Sequence, residues 1–464
     1  MPHEGFADET VHQRAWAGRP TRNDPDRLRL ASVDGRTVDG GIAGDETVDD
    51  ETAGEKTVDG KTAGETLVER VAGEGVAGRA VLDEAVAGQA VGERATDGEA
   101  IRTVAEGIVK ELPPELFIAH GTNAEMRWEA VRDVGYHVPN ERFFVRNHTS
   151  TPIIDAATWR LELHGSGLTN PRSFGYEELL ALPAVTRDVA IECAGNGRSL
   201  FTTQQRQEIS GTPWRLGGIG VARWRGVPLS TVLDRAGLTP DAVDVMPRGL
   251  DPHYVCDGVD YGPVRRPIPV AKALKDVILA YEMNGRPLPP DHGYPVRLVV
   301  PSWIGLASVK WVGDIEVSTS PLASPWNTDF YRMFGEDHPP EGSAPLALQT
   351  VKSAFELPWD AELRAGHPYV LHGRSWSGNG RIAGVEVSVD GGTTWRQARL
   401  RGPHVVPAWT RWHIGWNPLK TGPHILLARA TDETGAVQPS RTPHNDFGYL
   451  FDAVAGHPVT VVNG

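Results

Sequence analysis

From Val33 to about residue 105 the chain cycles through TVDG, TAGE, VAGE and VAGR units, with a step of about five residues and almost no aromatic side chain. This tract limits what the chain can fold into. Gly, Asp, Glu, Thr and Ala bury too little apolar surface to offset the entropy lost on ordering them. Residues 1–105 therefore read as a disordered acidic extension. The competing reading is a small β-solenoid of five-residue units. That fold needs a large apolar residue in each unit, whereas Val here alternates with Ala. On either reading, the main core has to be built from residues 106–464.

The composition of the whole chain suits two or three folded domains: 40% of its 464 residues are hydrophobic and 14 are Trp. Its 52 Gly and 36 Pro predict many turns and few long helices. The formal net charge of −14 argues against a nucleic-acid partner, since phosphate contacts need clustered Lys and Arg. No run is apolar for the roughly 20 residues that a membrane span needs. The opening MPHEGFADETVHQRAWAG has no basic stretch followed by an apolar one and no twin arginine. As written, the chain is expected in the cytoplasm.

Two composition regimes follow the tract. In residues 106–340, DVAIEC and YPVRLVVPSW read as buried strands, and YEELLALP and LSTVLDRAGL as short helices. Ser230 is placed to cap the second helix and Gly237 to end it. The mixture predicts an α+β domain. In residues 341–464, GVEVSVDGGTTWRQARL reads as a hairpin: Val385, Val387 and Val389 alternate with polar residues, Asp390, Gly391 and Gly392 turn the chain, and TTWRQARL returns. With HILLARATDETG and further Pro-broken strands, this predicts an all-β, Ig-like sandwich without a disulfide. Trp409, Trp412 and Trp416 fit either the core of that sandwich or an aromatic contribution to an interface.

The chain has two cysteines. Cys256, in HYVCDG, reads as a small buried hydrophobe. Cys193 stands in IECAGNGRSL, at a strand end and before a glycine-rich turn. Gly195 and Gly197 let backbone N–H groups approach a ligand, and Arg198 adds a cation; both favour a thiolate. A thiolate is a nucleophile or a soft metal ligand. With 16 His in the chain a base for a nucleophile is available, yet no cysteine-hydrolase signature is present. One thiolate cannot hold a metal tightly by itself, and neither a second cysteine cluster nor HExxH is present. A metal here would need further ligands from a cofactor.

VAIECAGNGRS, FFVRNH at 143–148 and YEMNGRPLPPDHGYPVRLVVPSWIGLASVKW at 281–311 together resemble the sulfite oxidase family of molybdopterin-dependent oxidoreductases, of the bacterial, haem-free type. The resemblance runs from about residue 115 onward, with the three motifs in the family's order. It implies a molybdopterin-binding domain followed by a dimerisation sandwich, and therefore a homodimer. It implies oxidation of sulfite to sulfate by oxygen-atom transfer at a molybdenum held by Cys193, the other sulfur ligands coming from the pterin. Matching motif by motif, Phe144, His148, Asp251, His292, Arg297, Ser308 and Lys310 hold the cofactor. Arg146, Arg198, Trp214 and Tyr331 serve the substrate. By residue type alone, His292 reads as a satisfied core histidine.

The sequence departs from the family pattern in three places. Gly197 stands where the family's animal members often have the first of two arginines, while Arg198 remains. In HNDFGYL, Phe447 falls where animal members place an arginine that reaches the substrate. No HPGG is present, and the HP pairs at His367 and His457 lack its glycines, so no haem is expected. Electrons would leave to a separate acceptor, a cytochrome or dioxygen. Two other functions stay open on this evidence: reduction of an S-oxide or N-oxide, favoured by Phe447, and a non-catalytic scaffold or adhesion role with an inert cysteine.

Overall fold

The structure is a computed structural model that describes residues 107–464. The expectations for residues 1–105 lie outside the described residues.

The described chain is mostly β. Its five α-helices span four to seven residues each, so the helical share expected for an α+β domain is smaller than the sequence suggested. Strand Val185–Glu192 pairs antiparallel with Ile219–Pro228 along its full length. Ile278–Met283 continues that sheet, flanked by Arg286–Pro287 and Arg297–Val299. A second sheet runs Ile268–Pro269, Asp244–Gly249, Val312–Ser318, Arg160–His164, Arg172–Gly175. Its one parallel pair joins Val312–Ser318 to Arg160–His164. Leu161, Phe174, Val245 and Ile315 of the second sheet share a core with Val227, Leu279 and Leu298 of the first.

Helix Tyr176–Leu180 and helix Leu229–Arg235 form where the sequence places them. Leu229, Val232 and Leu233 set one buried face of the second. Ser230 is not its cap. The helix starts directly after Pro228, which already holds a compatible φ, and no side chain caps it. Gly237, at φ +72°, ends it as expected.

Residues beyond 350 build two sheets that pack face to face. One runs Lys352–Phe355, Tyr369–Trp376, Thr410–Trp416, Arg399–Arg401, and the other Ala361–Arg364, His457–Val462, Gly422–Asp432, Ile382–Ser388, Arg396–Gln397. Val385, Val387 and Ala428 of one sheet meet Phe355, Leu371 and Trp412 of the other. The hairpin forms, with Gly391 and Gly392 both at positive φ. Its return arm differs from expectation: Arg396–Gln397 pairs with the outgoing strand, and Arg399–Arg401 crosses to the opposite sheet. Trp409 and Trp412 are fully buried and Trp416 nearly so, so they serve the chain's own core and offer nothing to an interface. Trp409 stands edge-on to Trp128, under the Arg374 guanidinium.

A buried seam joins the two regions. Arg374 Nε lies 2.6 Å from Glu356 Oε1, and its Nη2 donates to Val131 O at 2.8 Å. Lys352 Nζ lies 2.8 Å from Glu192 Oε1, next to Cys193 in the chain.

Candidate active site

The strand Val185–Glu192 delivers Cys193 into the interior, where the residue is 7% exposed. Cys193 N donates to Gly218 O at 2.8 Å, and Gly195 N donates to Cys193 Sγ at 3.4 Å. Asn196 fixes the loop: its Oδ1 accepts from Gly218 N, and its Nδ2 donates to Glu192 Oε1, each at 3.0 Å. Gly197 sits at φ +92°, and a Cβ there would meet the Phe451 ring at 3.2 Å. Any other side chain would be strained at this position. Cys256 is buried outside the cavities described next and is not bridged to Cys193.

Two cavities meet at Cys193. The larger encloses about 720 Å³, its open mouth included. Phe144, His148, Asp251 and His292 line it, as do Arg297, Ser308 and Lys310. All seven pterin-binding candidates thus converge on one space. The smaller cavity is lined by Arg198, Trp214 and Phe447, the first two of them substrate candidates. Arg146, His148, Cys193 and Tyr331 line both, and mark the junction.

Arg297 and Lys310 of the larger cavity make no direct ion pair, although the Asp251 and Asp291 carboxylates line the same space. Arg297 donates only to carbonyl oxygens: Nη1 to His292 O at 3.1 Å, Nη2 to Ser308 O at 2.9 Å and Nε to Leu298 O at 3.3 Å. Burial pushes its pKa down to about 9. Lys310 Nζ donates to Asp291 O at 2.8 Å and to Asn147 Oδ1. Burial, and then the Arg297 charge, hold it well below the usual lysine range. His292 is likewise held well below its ordinary value, by burial first and then by Lys110 and Lys310. Its Nε2 is buried without a hydrogen-bond partner, so it is not the satisfied core histidine its residue type suggested. Asp251 is pushed up by burial and accepts from Val264 N at 3.2 Å. Ser308 Oγ accepts from Val300 N at 3.0 Å.

His148 stands between the cavities. Burial, then Arg146 and Lys310, keep it neutral. Its Nε2 lies 3.3 Å from Trp326 Nε1 and 3.3 Å from Tyr331 Oη. An indole N–H only donates, so Nε2 must be the acceptor and Nδ1 carries the proton. Tyr331 is stacked on Tyr449 at 5.1 Å and has a positive φ of 55°.

These features test whether a molybdopterin fits. Buried cations without an ion pair call for an anionic ligand, and the orphaned His292 Nε2 calls for a hydrogen-bonding one. Among the described residues no group of three His, Cys, Asp or Glu is placed to hold a metal ion. Cys193 can therefore supply one ligand only, and the rest must arrive with the cofactor. The donor set fits.

Residue types alone did not point to Asn147, Asp291 and Trp311, which line the larger cavity, or to Tyr254, Phe330 and Tyr449, which line the smaller. Asn147 and Asp291 lay inside the motifs VRNH and DHGYPVR. Tyr449 follows Phe447 by two positions, the only signal for it.

Residues 148–326 match the family described as oxidoreductase molybdopterin binding domain, and residues 347–453 match the Mo-co oxidoreductase dimerisation domain. Human mitochondrial sulfite oxidase is 38% identical over 334 residues, 68% of this chain and 60% of that protein. The chain thus spans about 60% of the length of the mammalian relatives it matches. Chicken sulfite oxidase is 35% identical over 323 residues, 65% of this chain and 68% of that protein. The chain belongs to the sulfite oxidase family. Its matched regions are the molybdopterin-binding oxidoreductase domain and the dimerisation domain of that family. In fold, this member also resembles the sulfane dehydrogenase SoxCD of Paracoccus pantotrophus, with a TM-score of 0.64 and 29% identity over 80% of this chain and 92% of that one. Among the described residues, no helix is long and apolar enough to cross a membrane.

Proposed function

We propose that this enzyme oxidises sulfite to sulfate at a molybdenum centre held by Cys193. The observation that carries this reading is the junction: one thiol, one arginine and one tyrosine meet where a cation-lined cavity opens into a smaller one. Phe144, His148, Asp251, His292, Arg297, Ser308 and Lys310 would hold the pterin, with Arg297 and Lys310 supplying its anionic groups with counter-charge. When bound, the cofactor supplies oxygen-atom transfer and a two-electron store.

The chain's own residues do the rest. Arg146 binds the anion by its planar fork of donors and orients it toward the Cys193 sulfur. Arg198 supports the far wall. Trp214 excludes water from the approach. Tyr331 donates its hydroxyl proton to His148 Nε2, so a proton is held beside the junction at a defined atom. The overall change takes sulfite and water to sulfate, two protons and two electrons. The electrons pass to a separate acceptor, a cytochrome or dioxygen.

We assign residues 106–340 to the catalytic domain. Residues 341–464 form the dimerisation domain, Ig-like in outline, which pairs two copies of the chain. A second reading, reduction of an S-oxide or N-oxide, is favoured by the Phe447 ring in the smaller cavity.

An anaerobic visible spectrum of the holoenzyme, with molybdenum assayed on the same sample, tests the proposal. A thiolate-to-metal band that bleaches on adding sulfite supports it. A band that persists with sulfite and responds instead to an S-oxide, after chemical reduction, favours the reductase. Cys193→Ser should abolish activity while retaining the pterin; full activity would rule out ligation by Cys193.

A further inference from the structure

We infer that the smaller cavity is built for a sulfur oxyanion with an apolar substituent, an organic sulfinate, which the enzyme oxidises to the sulfonate. This rests on the oxidase reading of the Cys193 junction and concerns the wall opposite it.

That wall is aromatic. Residues that line the smaller cavity and not the larger include Trp214, Tyr254, Phe330, Phe447 and Tyr449. Four of these rings form a continuous surface: Tyr254 to Phe330 at 6.4 Å, Phe330 to Phe447 at 6.2 Å, Phe447 to Tyr449 at 5.5 Å. All fall within the packing range of aromatic pairs. Arg198 braces this surface. Its Nε donates to Phe447 O at 2.8 Å and its Nη1 to Thr212 O at 3.0 Å, with the guanidinium 5.6 Å from the Tyr449 ring centre. Arg146 stands at the other end, in the junction. The cavity thus has Arg146 and Tyr331 at the junction with Cys193 and, beyond them, a largely aromatic wall that Arg198 joins.

Bare sulfite makes poor use of such a space. All its oxygens seek donors, and the faces of aromatic rings carry partial negative charge. A sulfinate keeps two oxygens for Arg146 and lays its carbon substituent against the rings, where burial is favourable. The sulfur lone pair becomes a new S–O bond. The oxygen derives from water, which releases two protons, and two electrons leave to two equivalents of a one-electron acceptor.

The test uses holoenzyme with ferricyanide as acceptor and sulfite, methanesulfinate, propanesulfinate and benzenesulfinate as substrates, with products identified by mass spectrometry. The expected result is sulfonate formation, with kcat/KM rising about fourfold per buried methylene and highest for benzenesulfinate. Phe447→Ala should lower the ratio of kcat/KM for benzenesulfinate to that for sulfite about tenfold or more. Turnover of sulfite with no sulfinate oxidised, or a series that stays flat or falls with size, overturns the inference and leaves the oxidase reading standing. Failure of every substrate, sulfite included, overturns the oxidase reading and the inference with it.

Discussion

Replacing Lys352 with methionine should uncouple the Cys193 loop from the C-terminal sheets. Lys352 Nζ lies 2.8 Å from Glu192 Oε1 and donates to Asn196 O at 3.1 Å. The two charged side chains are only 4% and 3% exposed, so solvent screens the pair little. Removing one partner leaves a buried carboxylate whose remaining side-chain donor is the Asn196 amide. Losses of this kind cost about 3–5 kcal/mol. A second replacement, Glu192→Gln, removes the stranded charge while keeping an acceptor for Asn196. The double variant should therefore recover at least half of the loss. Urea denaturation followed by tryptophan fluorescence measures stability, and molybdenum per chain measures the state of the loop. Molybdenum content should fall in Lys352→Met and rise again in the double variant. A single-variant loss below about 1 kcal/mol, or a double variant no better than the single, would refute the reasoning.

Two more consequences can be measured. Arg146→Gln should raise the KM for sulfite about 10- to 100-fold, the worth of a hydrogen bond to a charged group, with molybdenum content little changed; an unaltered KM would remove Arg146 from substrate binding. Lys110 is half-buried and donates to Asn140 O at 3.5 Å, and desolvation pushes its pKa from 10.5 down to about 7. Between those values the unfolded chain binds the extra proton, so the stability of cofactor-free protein should rise with pH from about 7 to about 10.5. Lys110→Met should lessen that slope by the equivalent of one proton in denaturation curves across this range; an unchanged slope contradicts the assignment.

The parts legible in the sequence are those carried by contiguous residues. The Cys193 loop is one such part, because a strand end, three turn residues and a cation lie within ten positions. The outgoing arm of the hairpin is another, since Val385 and Val387 alternate toward the core. The seven cofactor-binding candidates line one cavity, and all but Asp251 lie in the three short motifs. What stayed hidden depends on pairing across long stretches of chain. Lys352 carries no local sign that it will meet Glu192, 160 positions away. Nothing in TTWRQARL marks where it leaves one sheet for the other, because one residue period serves both. Ser230 was misplaced because the fixed φ of Pro228 starts the helix without a side-chain cap.

The closure of the Cys193 loop by the chain far downstream also has a consequence in time. Leu450 N donates to Ala194 O at 2.8 Å, and Arg198 Nε reaches Phe447 O, 249 positions along the chain. At about 5–20 residues per second, ribosomal synthesis brings that wall out roughly 10–50 s after the loop it covers. For that interval the nascent protein presents the cysteine in a half-built cradle, open on the side that later becomes aromatic.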